Sequence, residues 1–228
     1  MANPDHVAAV RKGREAWERL RATVEVGGID LSQAKLDGGD YTGWDFSGVN
    51  LAEAAISGAD LNKTDFSGAN LYRADLSAGE GDGADFTGAN LERADLGASN
   101  FAGGTFSGAN LPGATLRACD LEGADFSGAQ CSLTSFQTAN LDGANFSGAV
   151  LSGAQMEGCN ALGADFSVAV LDGAVLKNAD FDGACFDGAV LRNADLEEAC
   201  FESAEIVNTV FDGANLTGAT GLDDIIPD

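Results

Sequence analysis

The chain carries 36 Asp and Glu residues against 12 Lys and Arg, a formal net charge of −24, and its carboxylates recur on a grid. Asp40, Asp60, Glu80, Asp120 and Asp180 stand at multiples of twenty, and Asp45, Asp65, Asp85, Asp125 and Asp165 follow five residues after such multiples. General acid–base chemistry needs carboxylates in unlike surroundings, so that one holds a proton while the other does not. A regular row gives every member the same surroundings. Calcium needs about six to eight oxygens wrapped around one ion, and a flat row does not wrap. What remains is charge presented over a length. His6 is the sole histidine and has no Ser or Cys partner in a recognisable motif. Cys119, Cys131, Cys159, Cys185 and Cys200 lack metal-ligand spacing, and the glycines from Gly79 to Gly83 do not form a phosphate loop. The chain is therefore read as non-enzymatic, with no metal and no cofactor.

The element that positions these carboxylates is a five-residue repeat. All 13 phenylalanines fall at positions 5n+1, and from Leu31 to Leu216 the sequence is 38 five-residue units without insertion or deletion. The unit centre is Leu, Phe, Ile, Met or Tyr except at Gly81, Cys131 and Ala161, and the residue two before it is Ala in 26 of the 38. Phe46, Phe66, Phe86, Phe106, Phe126, Phe146, Phe166 and Phe186 add a period of twenty. Four units per coil and one unit per side explain both periods, with identical side chains stacked from coil to coil. The remaining sides carry Leu51 to Leu191, Leu36 to Leu196, and the mixed series from Tyr41 to Phe201. On an extended side, residues two apart share a face. The centre and the Ala two before it thus point inward, and the Asp or Asn between them points out. The Gly two after many centres suits a tight corner. At about 4.8 Å per coil the rod is roughly 45 Å long.

The units Ala69-Asn70-Leu71-Tyr72-Arg73 and Ala94-Asp95-Leu96-Gly97-Ala98 resemble the repeat of the pentapeptide repeat proteins. The resemblance covers residues 29 to about 218. It implies an all-β solenoid, a right-handed quadrilateral β-helix, with an N-terminal capping α-helix. The expected division is a capping helix and connector over 1–28, the β-helix over 29–221 and a tail over 222–228.

Within 1–28, Asn3 and Pro4 suit a helix start. Val7, Val10, Trp17, Leu20 and Val24 follow at helical spacing, and Gly27 and Gly28 offer a stop. Gly13, Trp17 and Arg21 resemble a segment that precedes the repeats in many such proteins. Trp17 is the expected apolar anchor of the cap. This segment is too short and too charged to cross a membrane, and it lacks the apolar core of a signal peptide.

Residues 1–28 carry a net +1, so the remainder carries −25. Over roughly 45 Å that is one negative charge per about 1.8 Å, against about 1.7 Å for duplex DNA. A rod of that density could occupy a basic DNA-binding groove, and it should bind neither nucleic acid nor an anionic membrane. The most acidic flank joins the side bearing Asp40, Asp60, Glu80, Asp120 and Asp180, with Asp82, Glu122, Asp142, Asp182 and Glu202 beside its centres, to the side bearing Asp45 and its successors. Asn100, Asn140 and Asn160 should relieve repulsion within the first of these ladders. The bland alternative is that Asp is simply favoured at the outward position and keeps the rod soluble.

A third side shows Asn50, Asn70, Asn90, Asn110 and Gln130, then Val150, Val170, Val190 and Val210. Those valines read as an exposed apolar stripe, to be covered by the tail or by another protein. Val190, Val210, Phe211 and Ile225 are the expected contact of a C-terminal homodimer. The acidic flank resembles that of quinolone-resistance and toxin-immunity members of the family. That likeness implies a DNA mimic acting on DNA gyrase or topoisomerase IV. An interaction scaffold for an unrelated partner is the alternative. The chain lacks inserted loops, so the loopless mycobacterial type is the nearer analogue. Five thiols with no pairing pattern suggest the cytoplasm.

Overall fold

A computed structural model describes residues 2–25 and 27–222. Two short helices, α1 (Pro4–Arg11) and α2 (Arg14–Arg21), precede the coils. This corrects the expectation of one helix running to Gly27. Gly13 adopts φ 99°, which ends α1 and starts α2, and the chain leaves α2 at Ala22. The start is as expected: the Asn3 side chain accepts from the Asp5 N–H, and Pro4 opens the helix.

From Asp30 onward every fifth residue forms a parallel bridge with the residue twenty later, without a gap from Asp30–Asn50 to Cys200–Thr220. The four-unit coil and its register are thus as the twenty-residue period required. The sides are less extended than a strand-based reading implied. Among the described residues no element longer than a single bridging residue pairs, because each bridge lies between turns. The two residues after each centre form the turn, and the second of them has φ between 50° and 72° in every unit. Positive φ at that place alone, usually with a bond such as Ala34 N–H to the Leu31 carbonyl at 3.0 Å, defines a type II turn. Glycine fills it without steric cost. Sixteen units use another residue there and accept a left-handed backbone.

The core is the set of unit centres and the residues two before them, nearly all buried up to Phe201. The phenylalanine ladder stacks face on face, from Phe46 to Phe186, with centroids 4.5–5.5 Å apart and planes within 10° of parallel. Where a centre is missing, a neighbour fills the gap. A Cβ at Gly81 would lie 2.2 Å from the Phe101 ring, which occupies that space from the next coil. Where Ala is replaced by a polar residue, its hydrogen bonds to a carbonyl of the preceding coil. Thr64 donates to Tyr41 O at 2.8 Å, Ser99 to Leu76 O at 3.0 Å and Thr134 to Leu111 O at 2.7 Å.

Candidate functional site: an acidic flank

The sides centred on Tyr41 and Phe46 adjoin, so their outward ladders and the corners that follow them form one surface. It holds 17 carboxylates and a single basic residue, Lys63. The other two sides with their corners hold 12 carboxylates and six basic residues, Lys35, Arg73, Arg93, Arg117, Lys177 and Arg192. The rod is thus polarised around its circumference. On the less acidic half the Lys177 ammonium lies 2.7 Å from Glu197 and 3.1 Å from Asp195, and those hydrogen bonds raise its pKa.

Asp82, Glu122, Asp182 and Glu202 are exposed on the corners, while Asp60, Asp120, Asp142 and Asp180 are half-buried. The half-buried ladder carboxylates have local work. Asp120 Oδ1 accepts from the Glu122 N–H at 3.2 Å, and Asp180 Oδ1 from the Asp182 N–H at 3.1 Å. The same bond joins Asp65 to Ser67 and Asp125 to Ser127. Each carboxylate satisfies a turn N–H two residues on, as Asx turns do. This is why Asp and Asn hold the outward position. At Asp40 the bonds from Thr42 hold the carboxyl below its ordinary range. Asparagines relieve the ladder as expected: Asn140 donates to Asp120 at 3.0 Å and Asn160 to Asn140 at 3.2 Å. Among the described residues no group of acidic, His and Cys side chains is placed to hold a metal ion. Burial pushes the thiol of Cys119 up to about 11 and that of Cys159 up to about 12, so both are inert core residues.

Val190 and Val210 are half-buried on the outward ladder of the Leu51 side. The stripe is thus less exposed than expected, because each valine is flanked by the next coil. Phe211 belongs to the same side but points inward, half-buried and edge-on to Phe201 at 6.4 Å. Ile225 lies outside the described residues.

Trp17 anchors the cap as expected, and polar bonds that follow no period of the sequence fasten it further. His6 is buried, and its Nδ1 accepts from the Asp30 N–H at 3.0 Å. Arg14 donates to Gly43 O at 2.7 Å, Trp17 Nε1 to Asp45 O at 2.9 Å and Arg21 to Ser47 O at 2.7 Å. Among the described residues no helix is long and apolar enough to cross a membrane.

Comparison with known proteins agrees with this architecture. The family model described as pentapeptide repeats matches in eight copies, in stretches that begin at 27–61 and 45–78, resume at 82–117 and end at 184–220. HetL, a pentapeptide repeat protein involved in heterocyst differentiation regulation from the cyanobacterium Nostoc sp. strain PCC 7120, is 26% identical, with a TM-score of 0.75 over 92% of this chain and 97% of that one. A trypsin-treated form of QnrB1, a plasmid-mediated fluoroquinolone resistance protein, is 25% identical, with a TM-score of 0.51 over 84% of this chain and 82% of that one. No curated protein sequence matches. The chain belongs to the pentapeptide repeat family, whose fold is the right-handed quadrilateral β-helix.

Proposed function

We propose that this protein is a DNA mimic that binds DNA gyrase or topoisomerase IV and protects the enzyme from poisons that act on its DNA complex. The observation that carries the reading is the gathering of 17 of the 36 carboxylates on two adjoining sides of the coil stack. A groove built to hold duplex DNA is lined with cations, and a rigid rod of matching charge density is attracted to it over a Debye length. Similarity to QnrB1, a fluoroquinolone resistance protein, supports the reading. The repeats run without an inserted loop, so protection would rest on the flank. Self-association near the C-terminal coils, at Val190, Val210 and Phe211, would lengthen the acidic surface. Five cysteines without a disulfide fit a reducing cytoplasm.

The test is a gyrase supercoiling assay, with and without a poison, across salt. Binding should weaken steeply as salt rises. Changing Asp120, Glu122, Asp142 and Asp182 to Asn or Gln should lower affinity while leaving the melting profile in place. Indifference of both supercoiling and poison sensitivity at low salt would remove the proposal. A second reading, a scaffold for a regulatory protein partner, is favoured by the better fit to HetL, a protein involved in differentiation regulation. It predicts no effect on gyrase and partner binding that resists salt.

A further inference from the structure

The Leu51 side lies opposite the Tyr41 side and differs from all others. Beyond Asp30 its outward ladder carries no charge, reading Asn50, Asn70, Asn90, Asn110, Gln130, Val150, Val170, Val190 and Val210. The asparagines are occupied with one another: Asn70 donates to Asn50 at 3.0 Å, Asn90 to Asn70 at 3.1 Å and Asn110 to Asn90 at 2.9 Å. The valines have no such occupation. The three exposed large hydrophobics among the described residues are Leu133 (69% exposed), Val168 (64%) and Val207 (54%). All three stand on the two corners that bound this side. Val168 and Val207 are on the corner where the chain enters it, and Leu133 is on the corner where it leaves. Leu133 and Val168 also hold φ of 59° and 50°, in the turn position that glycine fills elsewhere. A bulky side chain there is costly, and the β-branched Val168 most of all. Among the described residues nothing offsets that cost, since the side chains lie over Gly153 and Gly188 and face solvent.

We propose that two copies of the chain associate side by side and antiparallel through Val150, Val170, Val190 and Val210. The inference rests on the reading that the C-terminal coils carry a self-contact, and it makes that contact the side of the rod rather than its open end. Three observations select a second copy. A chain of net charge −24 meets least repulsion from its own copy across the one side with an uncharged ladder. A flat ladder of one β-branched residue at coil spacing is self-complementary, so two such ladders interdigitate as a dry interface with sheets about 10 Å apart. The third is the charge at the rim. In the antiparallel register where Val170 meets the partner's Val190 and Val150 meets the partner's Val210, Asp172 comes level with the partner's Arg192, twice by symmetry. Among the described residues Asp172 Oδ1 is the one buried side-chain oxygen or nitrogen without a hydrogen-bond partner, and Arg192 pairs only with Asp212, at 4.0 Å. The antiparallel arrangement also points the two asparagine halves away from each other, so the full lengths of the acidic rods do not run side by side.

Sedimentation equilibrium of the full chain tests this, with circular dichroism melting to confirm each variant's fold. The wild type should be dimeric at tens of micromolar, and more so at about 0.5 M salt, because screening removes repulsion between like-charged rods. That salt dependence is opposite to the one expected for topoisomerase binding, so either idea can fail alone. Val170→Glu with Val190→Glu should weaken dimerisation at least about a hundredfold, by burying unpaired charge. Phe211→Glu at the open end should leave it intact. Asp172→Arg or Arg192→Asp alone should weaken it about tenfold, each acting twice in a two-fold contact, and the double exchange should restore it. A monomeric wild type in high salt overturns the proposal. So does a dimer lost on Phe211→Glu but kept on the valine changes, which would place the contact at the end. Rim charges that weaken singly without rescue overturn the antiparallel register.

Discussion

The two ends of the rod are finished in different ways. At the first end, α1 and α2 lie over the opening coil. Trp17 is 1% exposed and sits 4.9 Å from Phe46, and its indole N–H, Arg14 and Arg21 all donate to carbonyls of that coil. At the other end the centres Ile206, Phe211 and Leu216 are only half-buried. There Gly221 turns the chain inward so closely that a Cβ would lie 2.3 Å from the Phe201 carbonyl carbon, and Leu222 is buried just after it. Each interior coil is sealed by coils above and below and needs no individual solution. Each end lacks one neighbour and must obtain its cover elsewhere. One end obtains it from dedicated side chains, and the last described coil keeps part of its core open.

The largest effect that would sharpen this contrast comes from placing the same charge in the middle and at the open end. Phe126→Asp buries an unpaired carboxylate between Phe106 and Phe146, stacked at 4.5 Å and 4.8 Å. It should cost several kcal/mol, about a small domain's entire stability. Phe211→Asp should cost less than half as much, because its carboxylate reaches water. Thermal melts followed by circular dichroism give both values. Equal losses would mean that the last coil is sealed as fully as the middle, and the contrast between ends would fall.

Next in size is the cap itself. Trp17→Ala removes the ring stacked on Trp44 and packed at a tilt against Phe46, together with the indole bond to Asp45. The expected cost is about 3–5 kcal/mol, as for other large aromatic truncations. Hydrogen exchange should locate the loss in the first two coils, since a solenoid transmits stability only between neighbours. Uniform loss of protection along the rod would show instead that the cap holds the whole solenoid in one cooperative unit.

A defect remote from both ends is smaller. Gly81→Ala puts a Cβ where the Phe101 ring lies, and overpacking of this kind costs about 1–3 kcal/mol. Adding Phe101→Leu should recover much of it. No recovery would mean that the strain comes from the Gly81 backbone and not from the ring.

Which of these features the sequence disclosed follows from the same distinction between interior and ends. Leu71, Ala69 and Asn70 could be assigned inward, inward and outward because dozens of equivalent units repeat the answer. Asn140 could be assigned the relief of Asp120 for the same reason. Capping side chains have no such repetition. The apolar spacing of Val10 and Trp17 continues across Gly13, so periodicity ran two helices into one, although φ of 99° needs glycine there. The His6 bond to Asp30 and the Arg21 bonds to Ser47 and Asp45 join residues 24 to 26 positions apart that match no period. The acidic flank was legible as charge, but the bond from each outward aspartate to the N–H two residues on was not.

The smallest effect concerns the charge that helps fasten the capped end. Burial works to raise the Asp45 carboxyl, but hydrogen bonds from Ser47 and from Arg21, whose guanidinium lies 2.7 Å away, outweigh it and hold the carboxyl below its ordinary 3.8. A carboxyl depressed by folding contributes stability above its unfolded value and loses that contribution as pH falls through the folded one. Asp45→Asn keeps an acceptor for the Ser47 N–H but removes the charge facing Arg21. The variant should therefore melt slightly below the wild type at pH 7, and the gap should close as the pH is taken below 3.8. Comparing variant with wild type at each pH cancels the general relief of repulsion that protonating the other carboxylates brings. A gap at Asp45 that persists unchanged in acid would mean that the Arg21 pair contributes nothing and that Trp17 and the bonds to coil carbonyls hold the cap.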